Sequence, residues 1–402
     1  METSSFESIY ATSQKLVAGV NTGFHRYLYD KIQWKNKLIG IKGARGVGKT
    51  TLVLQHIKEN FADNPEKALY VSLDNMWFAN HTLSDIVDYH YTQGGTHIFI
   101  DEIHRYPHWQ RVIKNITDEY PDLNIVYTGS SMLRMDNAEA DLSRRQIVYT
   151  LTGMSFREFL EFDTGLKQQA LAMDDILKRH VSIAMDIYGK TKILQHFNRY
   201  LKFGYYPFYK SEIDSFAEKL LAVINVIINE DLPAVEDITF ATRQKTRRML
   251  MILAERVPQT PKMSDLYASL ETNREQGLRM LSMLEKAALL QTLSTKTKNL
   301  KSIVKPDKIY LNNTNLMFAL SQNADVGTMR ETFFINQLSA TAVVNYPPQG
   351  DFIVNDRYLF EVGGKSKTFD QIKDLPDSYL AIDNIETGHA HRIPLWMFGL
   401  MY

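Results

Sequence analysis

The eight residues Gly43-Ala44-Arg45-Gly46-Val47-Gly48-Lys49-Thr50 constrain this chain more than any other segment. They satisfy the G-x-x-x-x-G-K-[ST] pattern at every defined position. The apolar run Leu38–Ile41 leads into them, and Thr51-Leu52-Val53-Leu54-Gln55 opens a helix directly after. Glycines allow backbone N–H groups to converge on phosphate without side-chain clash. The helix N-terminus adds partial positive charge. A strand that runs through such a loop into a helix belongs to an α/β layer with parallel strands. The pattern makes Gly43, Arg45, Gly46, Val47, Gly48, Lys49, Thr50 and Thr51 candidate contacts to ATP. Lys49 is expected at the β- and γ-phosphates and Thr50 on Mg²⁺.

The neighbouring apolar runs are spaced as further strands of that sheet: Ala68–Leu73, His97–Ile100 and Asn124–Thr128. The run His97–Ile100 ends in Asp101-Glu102. One carboxylate at such a strand tip can hold Mg²⁺ (Asp101) and the next can polarise an attacking water (Glu102). The last run continues into Thr128-Gly129-Ser130-Ser131, whose hydroxyls can sense a terminal phosphate or, for Ser131, cap the next helix. Asp74 also ends a strand but has no second acid beside it, and reads as a surface or supporting group. His104 and His108 lie four apart around Pro107. With no third ligand in sight they read as a surface turn, with Trp109 packing inward.

Composition narrows the rest. None of the 402 residues is cysteine, which removes disulfide, thiolate-metal and thiol-nucleophile chemistry. There is no apolar run near the ~20 residues that span a bilayer and no leader-like start, so the cytoplasm is the expected location. Lys plus Arg and Asp plus Glu are both 46, but the balance is local. Between Arg243 and Lys308 stand fourteen basic and six acidic residues, whereas from Ile309 onward there are six basic and ten acidic.

Beyond residue 153 the texture changes. Residues 154–241 have helical periodicity, as in Leu220-Leu221-Val223-Ile224-Ile227-Ile228. Residues 242–320 read as three helices followed by two short strands, Leu290–Leu293 and Lys308–Leu311, the order of a winged helix. Its wing holds Lys296, Lys298, Lys301, Lys305 and Lys308, and its third helix Asn273, Arg274, Gln276, Arg279 and Lys286. Such a surface can hold duplex DNA through phosphates, or the segment can serve only as a packing lid. Residues 328–402 read as helix, two strands, a helix near Phe369–Lys373, then strands Tyr379–Ile382 and Pro394–Phe398.

The order phosphate loop, Asp-Glu strand, Thr-Gly-Ser-Ser strand, Leu142-Ser143-Arg144-Arg145 and Ser155-Phe156-Arg157-Glu158-Phe159-Leu160 resembles prokaryotic AAA-type ATPases. In that group a P-loop core is followed by a winged helix and a C-terminal restriction-endonuclease-like domain. The resemblance implies a P-loop AAA core over 1–153, a helical lid over 154–241, a winged helix over 242–320 and an α/β nuclease-like domain over 328–402. It also implies that Arg145 acts as an arginine finger in a neighbouring copy, hence a homo-oligomer. Arg144 occupies a place where a small residue is more usual, so the two arginines are not separated. The tail's Glu331, Asp351, Glu361 and Gln371 resemble the PD-(D/E)xK nuclease order, except that Gly363 stands where lysine belongs and lysine follows at Lys365. A degenerate nuclease is the favoured expectation.

The whole reads as an Mg²⁺-dependent ATPase. Two alternatives are a slow ATP-dependent signalling switch, in defence or toxin-like systems, and an ATP-controlled nuclease.

Overall fold

The structure is a computed structural model and describes all residues except 1, 131–141, 143, 212, 257–261, 297–304 and 322–323. It divides into two compact units. The first comprises residues 1–152 together with Asp231–Asp237, and the second comprises Gly153–Glu230 with Ile238–Tyr402.

The first unit is built on a five-stranded parallel sheet. Its strands are β1 (Leu38–Gly43), β2 (Ala68–Ser72), β3 (His97–Asp101), β4 (Asn124–Ser130) and β5 (Ile147–Thr150), in the order β2-β3-β4-β1-β5. The central strands are continuous apolar runs because helices cover both faces of a parallel sheet. Leu38, Ile39, Ile41, Ile98, Phe99 and Ile125 are all fully buried. β5 carries a comparable run, Ile147-Val148-Tyr149-Thr150, but as an edge strand its residues are exposed or half-buried. Helices α1 (Glu2–Gly19), α2 (Lys49–Asn60), α3 (Leu83–Thr92) and α4 (Trp109–Glu119) complete the unit. Lys58 Nζ donates to the Ala18 and Val20 carbonyls at 2.8 Å, satisfying acceptors at the end of α1.

The strand order puts β4 between β1 and β3. The phosphate loop, the Asp101 tip and the Thr128–Ser130 hydroxyls therefore share the carboxyl end of three adjacent strands, where open α/β sheets bind ligands.

The second unit opens with Ser155-Phe156-Arg157-Glu158. This is a capping box: the Ser155 hydroxyl accepts from the Glu158 N–H at 3.1 Å, and Glu158 accepts from the Ser155 N–H at 3.0 Å. Arg157 Nε donates to the Tyr402 carbonyl at 2.8 Å. Phe156, Phe159 and Leu160 are fully buried. The motif is thus the start of a helix, α5 (Phe156–Thr164), fastened to the unit's core.

Further along lie α6 (Phe240–Arg256), α7 (Met263–Ser269), α8 (Arg274–Lys286) and an antiparallel hairpin, β6 (Leu290–Leu293) with β7 (Lys308–Leu311). Helix α9 (Val326–Leu338) precedes a second, mixed sheet ordered β12-β11-β10-β9-β8. Here β8 (Val344–Asn345), β9 (Phe352–Val354) and β10 (Tyr358–Gly363) are antiparallel, while β10, β11 (Ser378–Ile382) and β12 (Arg392–Pro394) are parallel.

Two expectations for this tail are corrected. Residues 369–373 form turns, not a helix. Pro376 follows closely, disfavours α geometry just before it, and leaves too few residues to close a helix. The expected strand Pro394–Phe398 ends at Pro394, which has no N–H to extend a ladder. Leu395–Leu400 instead form a buried 3₁₀ helix.

Candidate nucleotide site

The loop between β1 and α2 has the backbone its glycines permit. Gly46 and Gly48 have φ of 85° and 98°, in the left-handed region. A Cβ at Gly43 would lie 2.3 Å from the Leu151 carbonyl, so the strand-to-loop transition is closed to any larger residue. Val47 is fully buried beneath the loop. Arg26, buried, donates to the Val47 carbonyl and, at 2.7 Å, to the Thr152 carbonyl. It pins the loop to the end of β5. Nothing in the sequence before the loop marks Arg26 for this work.

Lys49 is buried, and its Nζ donates to the Gly43 and Ala44 carbonyls at 2.9 and 3.1 Å. Desolvation holds its pKa below the ordinary lysine value, against the opposing pull of Glu102 and Asp101. Thr50 Oγ1 donates to Asp101 Oδ2 at 2.7 Å. Two further hydroxyls, Tyr70 at 2.8 Å and Thr128, donate to the same carboxylate. Burial and the Asp101 charge raise the Tyr70 pKa well beyond its usual value, so Tyr70 remains a proton donor.

Thr50 and Asp101 thus meet as a hydroxyl and a carboxylate oxygen, both hard donors suited to Mg²⁺. Glycine loop, lysine and hydroxyl–carboxylate pair fit a nucleotide–Mg²⁺ group. Thr51 is exposed at the start of α2.

Glu102 follows directly, with a left-handed φ of 57° that turns the chain off β3. Its N–H donates to Thr128 Oγ1 at 3.3 Å, and its carboxylate lies 3.3 Å from His104 Nδ1. His104 is buried, which corrects its reading as part of a surface turn, while Trp109 does pack inward. Ser130 ends β4, buried, with its N–H 3.4 Å from His104 Nδ1. Asp74 meets Arg105 Nε at 2.7 Å.

Asp231, distant in sequence and buried, faces Arg45 Nε at 3.4 Å, His104 Nε2 at 3.7 Å and an Arg105 nitrogen at 3.8 Å. Burial alone would raise its pKa. His104, Arg45 and Arg105 outweigh burial and hold it below the ordinary aspartate value. Sequence reasoning missed this residue. One signal was available: Asp231 falls in phase with the buried stripe Leu220, Ile224 and Ile227, where an acid requires partners.

Arg144 and Arg145 are exposed on a turn, and Arg145 is paired with Asp118 of α4. Ser131, Asp141 and Ser143 lie outside the described residues.

In the second unit, Glu331 accepts from Lys308 Nζ at 3.0 Å and from the Tyr310 hydroxyl at 2.6 Å. Asp351 lies 3.6 Å from the same ammonium and accepts from the Val362 N–H at 3.0 Å. Burial lowers the Lys308 pKa, but Glu331 and Asp351 override it and raise it overall. Lys308 therefore points inward rather than along an outer wing.

Glu361 is buried with Lys367 Nζ 3.1 Å from one oxygen, though not aligned for a hydrogen bond. The expected partner Lys365 is exposed instead. The reason is local: a Cβ at Gly363 would meet the Lys367 side chain at 2.7 Å, so the glycine clears a path for Lys367. Gln371 is exposed on a turn, not on a helix facing the acids. Among the described residues, no group of three or more acidic, histidine or cysteine side chains is arranged to hold a metal.

Two supposed base readers on α8 have local duties. The Asn273 side chain accepts from the Gln276 N–H at 2.9 Å as the helix cap, and Gln276 Oε1 accepts from Thr272 at 2.9 Å. Lys296 is paired with Asp356 at 2.8 Å, and Lys298 and Lys301 lie outside the described residues.

A family model described as an AAA domain matches residues 35–160, and one described as a domain of unknown function matches residues 194–326. The strand order and the loop agree with the first of these, and this region is an AAA-type P-loop domain. The uncharacterized protein MJ1637 of Methanocaldococcus jannaschii is 28% identical over 269 residues, 64% of this chain and 56% of that protein. The uncharacterized protein MJ1544 of the same organism is 27% identical over 180 residues, 43% of this chain and 36% of that protein. The chain thus spans little more than half the length of the first and about a third of the second.

Among solved structures, the Aeropyrum pernix ORC1 protein in complex with DNA aligns with 79% of this chain and 92% of its own at 11% identity and a TM-score of 0.32. AMPPCP-bound DnaA from Aquifex aeolicus aligns with 64% and 84% at 15% identity and a TM-score of 0.27. These alignments are long but loose. No helix among the described residues is long and apolar enough to cross a membrane.

Proposed function

We propose that the protein binds ATP with Mg²⁺ and hydrolyses it. The observation that carries this is the Thr50–Asp101 contact, 2.7 Å across 51 residues of sequence, at the foot of a glycine loop suited to phosphate. In this reading Lys49 leaves its loop carbonyls for the β- and γ-phosphates. Mg²⁺, supplied with the nucleotide, neutralises phosphate charge, and Thr50 and Asp101 hold it. Glu102 orients and deprotonates the attacking water. Arg145, released from Asp118, completes a neighbouring copy's site in a homo-oligomer. The test compares binding of a fluorescent ATP analogue with phosphate release. Lys49→Ala should lose both, whereas Glu102→Gln should bind and not turn over. Full turnover by Glu102→Gln would sink the assignment of that residue.

For the second unit, the observations favour a nuclease-like core that does not cleave, because lysines already neutralise its acids. Duplex DNA would be held through phosphates. A groove of about 380 Å³ along α6 brings Lys245, Arg247 and Arg248 together, beside Met251, Leu270 and one acid, Glu271, and is a candidate phosphate contact. Affinity for random duplex that does not fall steeply with added salt would reject it.

A further inference from the structure

Asp231–Asp237 is the stretch from beyond residue 152 that belongs to the first unit. Its first residue closes a π-helical turn, Ile227–Asp231, of the kind often found at functional positions. Pro233 follows within the short helix Leu232–Val235, fixing the backbone after it.

The side chain delivered there faces basic groups of the nucleotide site. Arg45 comes from the phosphate loop. His104 and Arg105 come from the turn after Glu102, and Arg105 also holds Asp74 at the end of β2. One buried carboxylate thus ties together the chain segments that follow β1, β2 and β3.

The geometry at His104 adds direction. One ring edge faces Asp231, and the other faces Glu102 and the Ser130 N–H. An imidazole anchored on one side by a fixed charge presents its second nitrogen to Glu102 in a set orientation. The contacts at 3.4 to 3.8 Å are longer than direct charge-assisted hydrogen bonds. Arg45 Nε, His104 Nε2 and Asp231 Oδ1 are buried without a hydrogen-bond partner. The cluster is held by charge rather than by closed hydrogen bonds.

We propose that Asp231 is a positioning residue of the nucleotide site: it is the internal counter-anion that fixes Arg45 in the phosphate loop and, through His104, the orientation of Glu102. This rests on the ATPase reading above. A residue needed only for packing would tolerate a neutral isostere. A positioning charge would not, and its loss would appear in turnover before affinity.

The experiment measures steady-state ATP turnover, binding of a fluorescent ATP analogue and melting temperature for the full chain. The variants are Asp231→Asn, Asp231→Glu, His104→Gln and Asp231→Asn with His104→Gln. Asp231→Asn should lower kcat about 10- to 100-fold while KM and analogue affinity stay within about threefold. Asp231→Glu, which keeps the charge, should recover most of that loss. The double variant should be no worse than the more damaging single one, because both act through one chain of contacts.

Wild-type kcat in Asp231→Asn, an equal loss in Asp231→Glu, or fully additive losses in the double variant would each overturn the inference. A wild-type protein that neither binds the analogue nor releases phosphate would reject the ATPase reading itself, a separate and recognisable failure.

Discussion

Two clusters of acids invite comparison. At the tip of β3, Asp101 is surrounded by hydroxyls from Thr50, Tyr70 and Thr128. In the second unit, Glu331 and Asp351 share Lys308, and Glu361 faces Lys367. A hydroxyl both donates and accepts, so Thr50 can turn a lone pair toward a cation that arrives at Asp101. An ammonium only donates. It supplies the positive charge permanently and competes with any metal. Clustered carboxylates are therefore not a metal site by position alone, and the chemistry of their immediate partners separates the two clusters.

The largest effect should break the first cluster at its phosphate end. Lys49→Ala is expected to weaken binding of an ATP analogue by about 100-fold or more, read by titration. Asp101→Asn should come next. Mg²⁺-dependent turnover should fall by about 100-fold or more, while analogue binding measured in EDTA changes little. If turnover keeps its Mg²⁺ dependence, Asp101 is not a ligand.

The second cluster is tested by Lys308→Met. Removing the ammonium leaves two partly buried acids facing one another, at a cost of about 2–3 kcal/mol in chemical denaturation. Added Mn²⁺ should restore part of that loss if the lysine stands in for a cation, and absence of rescue would blunt the comparison. Because the Lys308 pKa is raised in the folded chain, its contribution is present below the unfolded lysine value. It fades as pH climbs through the folded value.

A smaller effect concerns pH. Desolvation holds His56 and His90 near a pKa of about 4, below the ordinary 6.5. The unfolded chain takes up these protons first as pH falls. Stability should thus be intact above about 6.5 and decline toward 4, by up to ~3 kcal/mol per histidine. His90, which binds the Tyr10 hydroxyl at 2.7 Å and the His97 carbonyl at 3.0 Å, is the one to replace. His90→Gln should flatten the melting temperature between pH 6.5 and 4.5; an unchanged slope would assign the effect elsewhere.

Much of the core was legible in the residues. Apolar runs marked β1 to β4, because strands covered on both faces leave little room for polar side chains. The glycine-lysine pattern located the loop, since few other residues allow its φ values. What could not be read were contacts made by residues with no local pattern. β5 has the run Ile147-Val148-Tyr149-Thr150, but its place beside β1 at the sheet edge is a long-range pairing with no local mark. Arg26 reaches backbone carbonyls that any residue could supply. Lys367 rather than Lys365 meets Glu361, because the path over Gly363 depends on how the chain leaves β10.

The sequence by itself therefore determined the parallel α/β core, the phosphate loop and the Asp101-Glu102 tip. These depend on local conformation and on period, which are written residue by residue. Only the tertiary structure decided that Asp231 joins Arg45 and His104, and that lysines face each of the second set of acids. Charge pairing acts through space over a few ångströms, and separation along the chain says nothing about that distance until the fold has closed it.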